Sequence, residues 1–198
     1  MSAEEVSVAT FINKYWIKVR RNNLIYLKFF NEEKLKSVSR IEKVQLHSLK
    51  DIVNMGSYYL VWYRNSHNER VEYIDPEARN ITVEEKSKMD LKSSPDEDIQ
   101  EMLIEFENGA DKDIDIVVVH DSLLDKSVIL DGNHRLSVLY YYCLNDIEKL
   151  KAILSSGFSI NVITFFSPLS STIFFLDFMN ICRDVYQERQ SKKRSLSK

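Results

Sequence analysis

The chain has 198 residues, of which 44% are hydrophobic, so it can bury one substantial core but is short for two full domains. Its formal net charge of -3 excludes the overall basic excess typical of proteins that bind along nucleic-acid backbones, so any DNA binding must be local. The two cysteines, Cys143 and Cys182, form no CxxC pair and no zinc motif, which favours a reduced, cytoplasmic protein.

Two segments of the chain lie where a signal peptide or a membrane span could be expected. Residues 1–20 carry charges that interrupt any apolar core, so we expect no signal peptide. Residues 158–176 are uncharged but are broken by serines, an asparagine and a proline, so we expect no membrane span.

The chain is predicted to contain one main domain with extensions. Residues 1–43 form an N-terminal helical segment, residues 44–190 form the main domain, and residues 191–198 form a flexible tail. An insertion is expected at about 52–93, where the pattern is weakest.

The first half of the chain shows few strong signals. A helix is predicted at about 4–21 and a strand at 44–46. Aromatic and β-branched residues at 58–63 and 70–74 indicate a hairpin, and the polar, aperiodic residues 75–94 indicate a loop.

The second half is more strongly patterned. Ser94 and Glu97 form the two ends of a capping box with Pro95 at the first helical position, and this predicts a helix that Gly109 ends. The elements that follow are predicted, in order, as a strand at 114–119, a strand at 127–130, a helix that starts within 132–135, a helix at 145–155, a strand at 158–166 and a helix at about 172–190.

The segment from Asp131 to Arg135 places a glycine, a short amide, an imidazole and a guanidinium where a predicted strand gives way to a helix. The amides of a first helical turn point outward, and the helix dipole adds about half a positive charge there. Gly132 would let a ligand oxygen approach the backbone, Arg135 can bind phosphate through two parallel hydrogen bonds, and His134 can donate another. We therefore predict a phosphate-binding loop made of Asp131, Gly132, Asn133, His134 and Arg135.

The order of elements around this loop resembles the ParB/sulfiredoxin superfamily. Between about residues 94 and 166, a capped helix, a β-branched strand, a short turn, a strand ending in Asp-Gly-Asn-His-Arg, a helix and a further strand follow one another. The resemblance implies an α/β fold with a small mixed sheet flanked by helices, in which Gly132, His134 and Arg135 belong to a loop that binds nucleotide phosphates. It also implies Mg²⁺ as a cofactor that is bound with the nucleotide.

Two departures from the family narrow the expected activity. Asn133 stands where sulfiredoxins have their reactive cysteine, so cysteine-based reductase chemistry is not expected, and Cys143 is better explained as a core residue. Partition proteins of the ParB type carry a helix-turn-helix domain after the loop domain. Only one amphipathic helix and a tail are predicted after residue 166.

Three classes of function are left open by these observations. The first is a nucleotide-dependent enzyme, a phosphotransferase or hydrolase of ATP or another NTP, similar to stand-alone family members that act as small-molecule kinases. The second is a DNA-binding protein or nuclease that holds a backbone phosphate in the same loop. The third is a regulatory domain that binds nucleotide or a partner protein without catalysis. Nucleotide is thus the expected partner, with DNA as the alternative.

No sequence motif identifies a catalytic base. Phosphoryl transfer needs a carboxylate or an imidazole near the nucleophile. The weak candidates are His134 in the loop, His120 at the end of a predicted strand, and Glu69 in the polar part of the predicted hairpin.

No metal site made by protein ligands alone is predicted. Asp111, Asp113 and Asp115 alternate as calcium ligands do, but Ile116 occupies the position where a calcium loop needs glycine, and no glutamate closes the loop.

Overall fold

The computed structural model describes residues 3–16, 40–65, 67, 69, 76–77, 79–89, 91–93, 97–108, 113–122 and 125–166. These residues form a mixed α/β fold built on one seven-stranded sheet, which confirms the expected fold class. The expected helix at about 172–190, the tail at 191–198, the second hairpin strand at 70–74 and the capping residues 94–96 lie outside the described residues.

The strands take up most of the β-branched and aromatic runs of the sequence. In chain order they are β1 (Glu4–Glu5), β2 (Arg40–Leu46), β3 (Tyr59–Arg64), β4 (Arg79–Thr82), β5 (Asp113–Asp121), β6 (Lys126–Asp131) and β7 (Ser159–Phe166).

The helices are short, and none within the described residues has the length and apolar character needed to cross a bilayer. In chain order the α-helices are α1 (Val8–Phe11), α2 (Leu49–Asn54), α3 (Val83–Ser87), α4 (Glu97–Asn108), α5 (Asn133–Asn145) and α6 (Ile147–Ser155). A π-helical turn, Ile12–Trp16, continues α1, and single 3-10 turns lie at Met55–Ser57 and Leu91–Ser93.

The strand order is β1-β2-β7-β5-β6-β3-β4. β5 and β7 are parallel, β3 and β6 are parallel, and the other neighbouring pairs are antiparallel. Consequently β3 and β6 finish at the same end of the sheet at which β5 and β7 begin. We call this end, where β6 leads into α5, the loop end.

The central strand β5 is covered on both faces, as its β-branched run predicted. Ile114, Ile116 and Val118 belong to the hydrophobic core that β5 shares with the helices. On the other face Phe11 lies against Phe165, with ring centroids 4.2 Å apart in an edge-on arrangement. The sheet therefore separates two apolar layers and holds the strand ends in place between them.

The predicted helix at 4–21 is wrong at its start. Residues Glu4–Glu5 pair with β2 as strand β1, and the helix begins only at Val8, after Ser7 caps it by accepting a hydrogen bond from the amide of Thr10. β2 is likewise longer than the predicted 44–46, because it pairs with β7 along its whole length.

The predicted loop at 75–94 is also wrong, because this region contains β4 and α3. Ile81, Val83 and Leu91 are completely buried. β4 is a hairpin partner of β3. Elements of four or five residues are too short to show a helical or strand period, so the apolar pattern of the sequence does not predict them.

Candidate functional site

The junction between β6 and α5 is organised by Gly132. This glycine has φ +83° and ψ 15°, the left-handed conformation that side-chain-bearing residues rarely adopt. A Cβ at this position would meet the backbone of β5, at 3.2 Å from the carbonyl oxygen of Asp115 and 3.3 Å from the Cα of Ile116. The glycine is thus required both by the turn and by the close packing of the loop on β5.

The first turn of α5 presents backbone donors. Gly132 occupies the N-cap position and, having no side chain, makes no capping hydrogen bond. Leu136 is the first residue whose amide closes a helical hydrogen bond, to the carbonyl of Gly132 at 2.9 Å. The amides of residues 133–135 therefore have no partner within the helix, and they point out of its positive end.

Asn133 opens the helix in a buried position. Its side chain is only 9% exposed, and its Oδ1 has no hydrogen-bond partner among the described residues. An unsatisfied buried acceptor costs about 1–3 kcal/mol, so it calls for an explanation such as a bound group. The first residue of α5 is thus a buried amide and not a thiol.

Arg135 projects from the first turn and is partly exposed. Within the described part of the chain its guanidinium makes no hydrogen bond or ion pair. The charge still acts at longer range, since it favours ionisation of Asp131. A guanidinium without a partner among the described residues, at the start of a helix, is a suitable group for a phosphate or a carboxylate.

Asp131 ends β6 beside a second carboxylate. Burial raises its pKa above the ordinary value of aspartate. Arg135, the amide of Gly132 and His134 act in the opposite direction, and Asp115 raises the pKa further by repulsion. The net effect is a raised pKa, so a nearby positive charge would stabilise the ionised form of Asp131.

Asp115 belongs to a polar row that the sequence analysis missed. The amide Nδ2 of Asn161 donates to Oδ1 of Asp115 over 3.2 Å, and Asn161 is 6% exposed although it carries a polar side chain. Ser159 and Gln45 extend the row across β7 and β2, each bond measuring 3.3 Å. In the sequence, the row is visible only as polar residues at alternating positions of otherwise buried strands. That these residues contact one another follows only from the order of the strands in the sheet.

The structure places one of the three candidate bases, His134, in the loop itself. Glu69 lies in the connection after β3, where its carboxylate accepts a hydrogen bond from Nδ2 of Asn65 at 2.9 Å. His120 is at the other end of β5, where its Nδ1 lies 3.0 Å from Oγ of Ser127. The geometry therefore does not place His120 next to the phosphate loop.

The carboxylates at the loop end form only a small set of metal ligands. No group of three or more His, Cys, Asp or Glu side chains is arranged to hold a metal ion in the described ranges. Mg²⁺ commonly takes only one or two protein carboxylates when nucleotide phosphates and water supply the rest. Asp131 and Asp115, which influence each other electrostatically, fit that smaller donor set.

The thiol of Cys143 in α5 has the character of a packed residue. Cys143 is free and half-buried in α5, and burial raises its pKa. A raised pKa disfavours the reactive thiolate. Cys182 lies outside the described residues.

Comparison with protein-family models, with curated proteins and with solved structures finds no match to this chain.

Proposed function

We propose that this protein binds the phosphates of a nucleoside triphosphate at the loop Asp131 to Arg135, as a domain similar to the ParB/sulfiredoxin type. The observation that carries the proposal is Gly132. Its left-handed conformation and close packing on β5 turn the chain so that α5 begins with uncapped amides beside the unpaired Arg135.

The binding would combine two kinds of group. The amides of residues 133–135 supply donors and the positive end of the helix dipole. Arg135 supplies a bidentate cation, and charge-assisted bonds of this kind contribute about 1.5–3 kcal/mol each. Together they are sufficient for micromolar affinity, which corresponds to about 8 kcal/mol.

Mg²⁺ is proposed as the companion of the phosphates. Asp131 and Asp115 would hold it, and the bound cation would neutralise phosphate charge. Because burial and mutual repulsion raise the pKa of Asp131, a cation at this place would also relieve an unfavourable carboxylate.

Catalysis by phosphoryl transfer or hydrolysis is the second part of the proposal. A proton acceptor is needed next to the phosphates; the candidates are His134, which belongs to the loop, and Glu69, which follows β3. Activity that is lost in Glu69→Gln but retained in His134→Asn would assign the role to Glu69, and the reverse would assign it to His134.

The test is thermal unfolding with ATP, CTP and GTP, each with and without Mg²⁺. At a concentration of about 100 times Kd, a ligand should raise Tm by about 5–10 °C. Arg135→Ala should weaken binding about 10- to 100-fold, and Arg135→Lys should also weaken it because an ammonium lacks the planar fork. Lys151→Ala, which removes a positive charge from the exposed surface of α6, is the matched control and should bind as the wild type does.

Two results would contradict this proposal. One is an unchanged Kd in Arg135→Ala. The other is the absence of any nucleotide effect together with salt-sensitive retardation of DNA in a gel, which would favour the backbone-phosphate alternative. Binding without turnover would retain the site and replace catalysis by the regulatory function.

A cytoplasmic location, expected from the reduced cysteines, remains part of the proposal.

A further inference from the structure

The polar row crosses three neighbouring strands at the loop end of the sheet. Gln45 pairs with Asn161 in the register of β2 with β7, and Asn161 pairs with Asp115 in the register of β7 with β5. Paired residues project from the same face of a sheet, so these three side chains lie side by side. Ser159, two residues before Asn161 on β7, shares their face. The face is opposite to the helical core, since the intervening residues of β5 belong to that core.

All the hydrogen bonds of the row are donated in one direction. Nε2 of Gln45 donates to Oγ of Ser159 over 3.3 Å, and the same hydroxyl donates to Oδ1 of Asn161 over 3.3 Å. Because this second bond occupies the oxygen of the amide, the nitrogen of Asn161 faces Asp115, to which it donates over 3.2 Å. The row therefore ends in an oriented N–H donor against the carboxylate of Asp115.

Asn161 is almost fully buried although its side chain is polar. A buried amide costs free energy unless its polar atoms are paired. Ser159 pairs its oxygen and Asp115 pairs its nitrogen, so the amide has a single favourable orientation. Asn161 therefore holds the carboxylate of Asp115 in place before any ligand binds.

A β-bulge brings a second carboxylate to the same face. Val117 lies opposite Asp131, but the next residue of β5 lies opposite Ile129. β6 thus has one extra residue at this point, and the bulge turns Asp131 to the face on which Val117 lies. Asp115 shares this face, because it stands two residues before Val117 in β5. The two carboxylates proposed as Mg²⁺ ligands therefore project from the same side of the sheet.

Asp115 connects the polar row to the proposed phosphate site. Its backbone supports the loop, since a Cβ at Gly132 would lie 3.2 Å from the carbonyl oxygen of Asp115. We infer that Asn161 is a positioning residue that orients the carboxylate of Asp115 for Mg²⁺, and that Ser159 fixes the orientation of the Asn161 amide. The inference rests on the proposed phosphate and Mg²⁺ site, to which it adds two residues that contact neither phosphate nor cation.

The experiment measures the Kd of inorganic tripolyphosphate by calorimetry on the full chain, once with excess Mg²⁺ and once with EDTA. Asn161→Leu keeps the approximate size of the side chain but removes the donor. The Kd with Mg²⁺ should therefore rise about 10-fold or more, the usual effect of losing a group that orients a metal ligand. The Kd in EDTA should be that of the wild type. Ser159→Ala, at a half-buried position, should show a smaller loss of the same kind and tests the inference even if Asn161→Leu does not fold.

A double-mutant cycle with Asp115→Asn separates positioning from a structural role. Asp115→Asn should itself weaken binding with Mg²⁺, because it removes a charged ligand. If Asn161 acts through Asp115, adding Asn161→Leu to that variant should cause little further loss. Losses that add, or a Kd in EDTA that rises as much as the Kd with Mg²⁺, would show that Asn161 only maintains the fold and would overturn the inference.

Ser127→Ala is the matched control. Oγ of Ser127 lies 3.0 Å from Nδ1 of His120 at the other end of β5, and Ser127 is buried to a similar degree as Asn161. The variant thus removes a buried hydrogen bond between strands of the same sheet, away from the loop end. It should lower Tm without changing the effect of Mg²⁺ on the Kd of tripolyphosphate.

The inference and the proposed site can fail separately. If Mg²⁺ strengthens the binding of tripolyphosphate equally in the wild type, Asn161→Leu and Ser159→Ala, the site is retained and the positioning role is rejected. Binding that Mg²⁺ does not strengthen in the wild type rejects the proposed cation site and, with it, the inference. Absence of binding with and without Mg²⁺ rejects the phosphate site as well.

Discussion

The helices α2 and α5 begin in opposite ways. In α2, the hydroxyl of Ser48 accepts a hydrogen bond from the amide of Asp51 at 3.3 Å, and the carboxylate of Asp51 accepts from the amides of His47 and Ser48 at 3.0 Å each. This is a complete capping box, and Thr82 and Glu85 form a second one at α3. In contrast, α5 begins at Gly132 without a side-chain cap.

The difference separates a helix start whose first amides are capped by side chains from one that has no side-chain cap. The same difference appears in the pKa values of the two aspartates near the starts of these helices. For Asp51, burial alone would raise the pKa, but the hydrogen bonds from His47 and Ser48 hold it below the ordinary value. For Asp131, burial prevails and the pKa is raised. The ionised carboxylate of Asp51 thus stabilises the start of α2. The ionised carboxylate of Asp131, beside the proposed site, is instead unfavourable.

The largest expected effect is that of Gly132→Ala. A left-handed residue with a side chain costs about 1–2 kcal/mol, and contact with the backbone of β5 should add about 1–3 kcal/mol of overpacking. The free energy of unfolding, measured in urea, should fall with or without nucleotide. The rise in Tm caused by nucleotide should also shrink, because the loop must move.

The matched control is Gly157→Ala. Gly157 has φ +89°, but a Cβ there would meet nothing within 4 Å, so only the conformational cost of about 1–2 kcal/mol remains. Equal losses in the two variants would show that the packing of Gly132 on β5 is unimportant.

A medium effect is expected for Ser48→Ala at the capped helix. Loss of the cap should lower the free energy of unfolding by about 1 kcal/mol. The nucleotide-induced change in Tm should be the same as in the wild type, since α2 supplies no ligand group in the proposed site. A reduced nucleotide response in this variant would break the distinction between the two helix starts.

The smallest effects are expected for Asp51→Asn and Asp131→Asn, and they should have opposite signs. The lowered pKa of Asp51 stabilises the fold above the pKa of the unfolded chain and loses this effect as the pH falls through the folded value. The raised pKa of Asp131 destabilises the fold once the pH exceeds the folded value, and protonation in acid removes the penalty.

At pH 7, Asp51→Asn should therefore unfold at a lower temperature than the wild type, and Asp131→Asn at a higher one. Each difference should be about 1 kcal/mol or less, or at most about 4 °C, and both should diminish in acid. Thermal unfolding between pH 3 and pH 8 measures them. A destabilised Asp131→Asn protein at pH 7 would show that its carboxylate is already well stabilised in the free protein.

Several features were predictable because their causes are local. The β-branched run of β5, the change from strand to helix after Leu130, and the turn at Gly157 each depend on neighbours a few residues away. The same holds for Gly132, because a glycine between a strand and an amphipathic helix is a strong local signal. These local signals were sufficient for the fold class and for the position of the loop.

The other features of the fold and of the candidate site depend on contacts between residues that are distant in sequence. The pairing of β3 with β4, the strand character of Glu4–Glu5 and the position of Asp115 beside Asp131 depend on strand order, which is set by burial of the whole sheet. Glu105 and Arg135 likewise come to line one small surface depression only because α4 and α5 pack against each other. A short strand or a single charged residue has no periodicity of its own, so its partner follows only from the tertiary packing that buries the neighbouring apolar surface.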